Sequence, residues 1–257
     1  MAVKQQDLGL NLNKRRTRKA VLLDEKNLAA PCSGLLALIS PHAPRAKTGR
    51  APFELETMLR IHFVRQWFGL SSVERIPERV SILRLRRLLK EHQLAEQILA
   101  AVNATLIGKG LMLREGTALD AALIAAPSSG KHKDGGRDPG MHQRKKGNQW
   151  PFGMKCHIGA EADCALVHSV AGTPANVNGV TQTGKLLHGA QTDAFADAGY
   201  QGVAKREDTQ GITAQWHVVM RPGKRRALDK STPMGAILHK LEQAKARIRA
   251  KAEHPFW

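Results

Sequence analysis

The sequence predicts an α/β fold, a mixed sheet with flanking helices, preceded by a helical region. Two observations carry this. From Met112 onward, strand-like runs at 117–125, 150–159, 165–171, 193–196 and 215–220 come first in succession, then alternate with helix-like runs at about 177–188 and 202–208. Consecutive strands followed by strand–helix alternation describe a mixed sheet covered by helices. Before Met112 the apolar residues recur at helical spacing instead. The chain therefore divides into a basic, loop-rich lead-in (1–50), a helical region (51–111) and an α/β region (112–257).

A chain of 257 residues, 42% of them hydrophobic, can bury a sizeable core, as one large domain or two small ones. Lys and Arg number 40 against 22 Asp and Glu, a net charge of +18. That excess points to a polyanionic partner, because a positive field attracts phosphate backbones and gains from counterion release; the bland alternative is a merely soluble basic protein. Three cysteines at spacings that match no zinc motif fit a reducing cytoplasm better than a disulfide scaffold. No apolar run is long enough to span a bilayer, and the N-terminal stretch has no secretory h-region. No membrane partner is expected.

Each element has its local reason. The lead-in holds "KRRTRK" (14–19), which suits a phosphate clamp or a solvated arm, and an apolar "GLLALI" between Pro31 and Pro41 within loop-rich sequence. In "PFELETMLRIHFVRQWFGLSS", Leu55, Met58, Leu59, His62 and Phe63 share one helical face, and Gly69 closes the helix. "SILRLRRLLKEHQLAEQILAAVNATLIGKG" gives one long helix or two in succession, with Leu94, Ile98, Ala101, Val102 and Leu106 at helical spacing. Arg84, Arg86 and Arg87 beside a turn suit a helix-turn-helix reader of DNA, and equally a helical bundle with exposed arginines. The last element is a helix from about Pro233 to Glu253.

Asp120 sits inside the first strand, and a buried carboxylate there needs a cation, a hydrogen-bond partner or water. Asp197 stands where the short strand 194–196 ends, the side of an open α/β sheet on which ligands bind; Asp193, before that strand, caps its start. On the final helix, at about 100° per residue, Ile237, Leu241, Ala244, Ile248 and Ala252 make the core-facing stripe. With Leu241 at zero, Arg249 falls near ~80°, Glu242 near ~100° and Glu253 near ~120°, all on one flank. Arg249 and Glu253 are i and i+4, the spacing of an ordinary surface salt bridge as much as of a site. Acids on two strands and a later helix, inside a basic chain, are the donor set that two-metal phosphoryl chemistry uses. Carboxylates are hard oxygen ligands for Mg²⁺, and two ions about 4 Å apart activate the nucleophile and stabilise the leaving oxygen.

Beyond the acids, "GTALDAALIAAPSSGKHKDGGRDPGMHQRKKGNQWPFGMKCHIG", followed by "DAGYQG", "RPGK" and "KARIRAKAEHPF", resembles a DDE transposase of the insertion-sequence type, in the insertion sequence 5 group of the insertion sequence 4-like superfamily. "GRAPFELETMLRIHFVRQWFGLS" and "LLKEHQLAEQILAAVN" are similar to the same group, so the resemblance runs from about Lys14 to Trp257. It implies a ribonuclease-H-like catalytic core and, motif by motif, assigns the catalytic and metal-binding acids as Asp120, Asp197 and Glu253. The family's Arg-x-x-x-Glu pairing falls on Arg249 and Glu253 and favours Glu253 over Glu242. Also implied are two Mg²⁺ (or Mn²⁺) ions, double-stranded DNA as element ends and target, a homo-oligomer on that DNA, and a bacterial, nucleoid-associated setting. Water cuts at the element ends, and the freed 3′-hydroxyl then attacks target DNA.

The DNA contacts would come from the basic run with Lys131, Lys133, Arg144, Lys145, Lys146 and Lys155, from Arg221, Lys224, Arg225 and Arg226, and from Arg249. Trp150 suits stacking on an unpaired base, and equally a place in the core. Two departures from the family pattern stand out. Ser72 and Val73 read as joined across a deletion, and the chain stops four residues past Glu253, where family members continue. An inactive, non-catalytic DNA-binding remnant and a metal-dependent nuclease without strand transfer are the rival readings.

Overall fold

Strand β1 (Gly116–Ala125) is the element around which the α/β part is built. The computed structural model describes residues 32–44, 54–67, 79–112, 115–126, 136–145 and 147–256. Its contacts divide the chain into two compact units, Met1–Leu106 and Ile107–Trp257. "KRRTRK" (14–19), the Ser72–Val73 junction and Trp257 lie outside the described residues.

The first unit is helical. It contains α1 (Cys32–Ile39), α2 (Leu55–Trp67), α3 (Arg79–Glu91) and most of α4 (Leu94–Gly108). The lead-in is thus less loop-like than its sequence suggests: Leu35 and Ile39, one turn apart, are fully buried with Leu59 and Leu94, so tertiary burial makes a helix of "GLLALI". Leu55 and Phe63 pack against the same cluster, as the helical face of α2 predicts, and Met58 joins Ile82 and Leu85 in a second one. The long run after Pro77 is two helices, because Gln93 adopts a left-handed φ of 52° between them. Arg84, Arg86 and Arg87 are exposed on α3 while Ile82 and Leu85 are buried.

The second unit is a mixed sheet. β1 pairs antiparallel with β3 (Phe152–Glu161), from Thr117 opposite Glu161 to Ala125 opposite Gly153. β3 pairs antiparallel with β4 (Val167–Pro174), and the two-residue β2 (His142–Gln143) pairs with its start. On the other side β1 runs parallel to β5 (Asp193–Ala196), and β5 parallel to β6 (Gln215–Val218). The long path across the sheet is therefore β4-β3-β1-β5-β6.

Two expected helices are shorter than their sequence pattern. Residues 177–188 form a 3-10 turn (Gly179–Gln182) and the one-turn α5 (Thr183–Leu186), and 202–208 form two 3-10 turns. The two short segments pack closely together, since a Cβ on Gly184 would lie 2.8 Å from the Asp208 carbonyl, and Gly202 turns the chain at φ 84°.

Each face of the sheet has its own core. Leu119, Leu186, Ala196, Tyr200 and Val203 cluster on one side. On the other, Ala118, Ala160 and Ala252 are all fully buried, with Phe195 and Val167 against them. Ala118 and Ala160 are direct cross-strand partners, and side chains this small let the end of the chain approach the sheet closely.

The last helix, α7 (Pro233–Ala250), starts with Thr232 Oγ1 accepting the Gly235 N–H at 3.1 Å. Its buried face differs from the expected stripe: Ile237 and Leu241 are 61% and 47% exposed, whereas Glu242 is 3% exposed. Glu242 turns inward because its carboxylate is satisfied there. Oε2 accepts the Met220 N–H at 2.6 Å, and Oε1 pairs with Lys245 at 2.9 Å. The α-helix also ends earlier than expected, tightening into a 3-10 segment (Lys251–Phe256) that contains Pro255.

Burial alone would raise the Glu242 pKa, but the Met220 N–H and Lys245 outweigh it and hold the carboxyl below its ordinary value. A lowered glutamate stabilises the fold at neutral pH and loses that contribution as pH falls through the lowered value. Glu242→Ala is expected to cost about 2–3 kcal/mol near neutral pH. Denaturant titrations across pH should show the gap between variant and wild type narrowing in acid.

Candidate active site

Side chains alternate along a strand, so Ala118 and Asp120 look to the same face of β1, the face that receives Ala252. The parallel register sets Gly116 beside Asp193 and Ala118 beside Phe195. Counted on, it brings Asp120 level with Asp197, the first residue past β5. Asp197 leaves the strand as the cap of a 3-10 turn (Ala198–Tyr200), its Oδ1 accepting the Gly199 N–H at 2.8 Å. Glu253 follows Ala252 directly, so burial of that alanine fixes where the glutamate stands; Glu253 is ion-paired with Arg249.

Asp120, Asp197, Arg249 and Glu253 all line one open cavity of about 790 Å³. Arg144, Lys145 and Lys155 line it too, so carboxylates and cations face the same space. Burial pushes the Asp120 carboxyl above its usual pKa; the Ala121 N–H and the Arg249 guanidinium pull it down, and the neighbouring Asp197 charge adds to the rise. Burial, with the Arg144 charge, lowers the Lys155 amine to about 8. Behind it His157 is fully buried, Nε2 lying 2.8 Å from Thr173 Oγ1, and burial with the Lys155 and Arg144 charges lowers its pKa to about 4.

The donors suit a hard divalent cation in kind, being carboxylate oxygens, and a cation beside them would offset both the burial that mainly raises Asp120 and the smaller repulsion from Asp197. Among the described residues, however, no three His, Cys, Asp or Glu side chains close into a ready ligand set. Glu253 becomes a third donor only by exchanging its Arg249 partner.

The other expected contacts sort themselves around this cavity. Lys155 was expected on an exposed basic run; instead it is 5% exposed in the cavity wall, because its Nζ donates to the Val177 carbonyl at 2.6 Å. Trp150 is 60% exposed, with Lys145 Nζ 6.0 Å from its ring centroid, which excludes the core alternative. Arg225 and Arg226, on α6 (Pro222–Arg226), line a neighbouring concavity of about 560 Å³ that shares Asp197 and Arg249 with the first. Arg221 and Lys224 are exposed outside both. Lys131, Lys133 and Lys146 lie outside the described residues. Asp193 is no simple cap: its Oδ1 meets His217 Nε2 at 2.7 Å across to β6.

Sequence reading missed Tyr200 and the Asn178–Gly179 turn, which also line the cavity. The available signal was position alone, since Tyr200 closes the turn that Asp197 opens.

Fold and cavity together define a mixed α/β protein with carboxylates gathered at one end of its sheet inside a basic surround. Residues 112–256 match the family model of the transposase DDE domain, and residues 10–103 match that of a transposase domain, DUF772. The first match spans more than half of the chain, which therefore belongs to the DDE transposase family. No solved structure matches the chain. No described helix is long and apolar enough to cross a membrane.

A carboxyl held above its ordinary value opposes folding when ionised. Asp120→Asn is therefore expected to raise the thermal midpoint by roughly a few degrees near neutral pH. The gain should vanish as pH falls and the wild-type carboxyl takes up its proton. Calorimetry at several pH values measures both.

Proposed function

We propose that this chain is the transposase of an insertion sequence in the insertion sequence 5 group, cutting DNA at the element's ends and joining it to a target with Mg²⁺ or Mn²⁺. The observation that carries the reading is the meeting of Asp120, Asp197 and Glu253 in one cavity with Arg144 and Lys145 at its edge. The sheet order β4-β3-β1-β5-β6, with β3 antiparallel to both neighbours and β1, β5 and β6 parallel, supports a ribonuclease-H-like core over 112–257. On this reading 1–50 is a basic lead-in and 51–111 a helical DNA-binding region, in keeping with the exposed arginines of α3. The protein would act as a homo-oligomer on DNA in the bacterial cytoplasm.

Asp120 and Asp197 would hold a pair of divalent ions, with Glu253 completing the set after releasing Arg249. The bound ions supply a nucleophilic oxygen at neutral pH and stabilise the leaving oxygen. The protein contributes position and charge. β1 and β5 fix the aspartates on adjacent strands, Ala252 anchors the turn carrying Glu253, and Arg249, once freed, is at hand to neutralise a phosphoryl oxygen. Arg144 and Lys145 draw the phosphate backbone over the acids, and the exposed Trp150 beside Lys145 offers a stacking face for an unpaired base.

An end-cleavage assay on a plasmid carrying the flanking element DNA tests this. Asp120→Ala, Asp197→Ala and Glu253→Ala are each expected to lose cleavage by about a thousandfold or more while still binding DNA. Pairing Arg144→Ala with Lys145→Ala should reduce the slope of log affinity against log salt by roughly 2. Cleavage that survives in the acid variants, or wild-type binding without any cutting, overturns the reading.

A further inference from the structure

Two polar groups in the cavity wall are left incompletely satisfied within the folded chain. Tyr200 is 3% exposed, and its hydroxyl has no hydrogen-bond partner among the described residues. Buried polar groups are nearly always paired, so an idle hydroxyl calls for an explanation. Lys155, also almost fully buried, donates to the Val177 carbonyl, and among the described residues no carboxylate pairs with it. Buried charges are ordinarily compensated.

These two groups are linked by one short segment. Val177 holds the Lys155 amine, and a Cβ on Gly179 would lie 2.7 Å from the Tyr200 oxygen, so residues 177–179 run from one to the other. Lys155, Asn178, Gly179 and Tyr200 all line the space that also receives Asp120 and Asp197. An occupant must bring acceptor oxygens for the hydroxyl and negative charge for the amine. A water molecule satisfies only the first. A phosphodiester satisfies both, since its oxygens only accept and its charge is one per phosphate.

We propose that Lys155 and Tyr200, joined by the Asn178–Gly179 turn, form a phosphodiester subsite in the cavity wall beside the acids. Tyr200 donates its hydroxyl proton in a hydrogen bond to a non-bridging oxygen, and Lys155 balances that phosphate's charge. The inference rests on the DNA-processing reading above for the class of ligand. It gives Lys155 a role different from that of a solvent-exposed rim cation: a buried amine reads a phosphate only once the strand has entered.

Tyr200 is the only tyrosine in the sequence, which gives it a spectroscopic signal of its own. The full chain labelled with 3-fluorotyrosine has a single fluorine resonance, to be followed while a short mixed-sequence DNA duplex is added and binding is tracked by anisotropy. The resonance is expected to move with the same midpoint as the anisotropy, and Lys155→Met to raise that midpoint about tenfold or more. Tyr200→Phe should weaken DNA binding without lowering the thermal midpoint, because the hydroxyl it removes is idle in the free chain; a purely structural tyrosine would lower it. A resonance that stays still while DNA binds, or a Lys155→Met chain that binds as wild type, overturns the subsite. Movement without DNA cleavage upholds the subsite and sinks the cleavage reading; cleavage with an unmoved resonance does the reverse.

Discussion

The parallel pairing of β1 with β5 is the constraint on which the site depends. A parallel neighbour brings two strands to the same edge of the sheet in the same direction, so residues just past their paired stretch come out together. Here those residues are Asp120 and Asp197. The antiparallel side does a different job. β3 reads back along β1 and supplies Ala160 opposite Ala118, making a shallow seat into which Ala252 fits. Any larger side chain at these three positions would lift the final turn away from the sheet, and Glu253 with it. An acidic grouping is thus assembled from one hydrogen-bonding pattern and one patch of alanine.

Charge sets the second constraint. In a chain of net charge +18, carboxylates are scarce and cations abundant, yet the cavity holds three acids. They persist there because each is held by something local: Asp197 by the Gly199 N–H, Glu253 by Arg249, Asp120 by the Ala121 N–H and the Arg249 field against its own burial. Arg249 therefore acts on two of the three acids at once. On the proposed function, this shared cation would be the group to change partners when a phosphate or a divalent ion enters, since Glu253 and Asp120, which it acts on among the described residues, line the same open space.

How much of this was legible in the sequence depends on how local the cause is. β1 and β5 could be read almost to the residue, since their apolar runs are short and bounded, the first interrupted only by Asp120 and the second flanked by Asp193 and Asp197. The shared face of Leu55, Leu59 and Phe63 was legible from helical spacing. What escaped were structures decided by distant contacts. "GLLALI" became helical because Leu59 and Leu94 bury it, and the segment 177–188, expected as a helix, folds as short turns that pack Gly184 closely against Asp208. Lys155 looked like any cation in a basic run, and nothing in its neighbours in sequence announces that Val177 holds it inside. The three acids were legible mainly through their surrounding motifs; strand ends alone would have offered Asp193 as readily as Asp197.

The two glutamates of the last helix show why composition at a helical position does not decide its role. A wheel drawn at uniform pitch puts Glu242 and Glu253 on the same flank, about 20° apart. In the folded chain they differ in what they leave unsatisfied. Glu242 is buried and saturated by the Met220 N–H and Lys245, so exchanging its partners would cost both the hydrogen bond and the burial. Glu253 sits half-exposed beyond the end of the α-helix, on a tighter 3-10 segment, with only a side-chain partner to release. Asked to give up an ion pair for a ligand, the second can comply at small cost and the first cannot. The same sequence element thus supplies a buried strut and, past the change of helical pitch, a half-exposed carboxylate facing the cavity, and their different partners are what separate them.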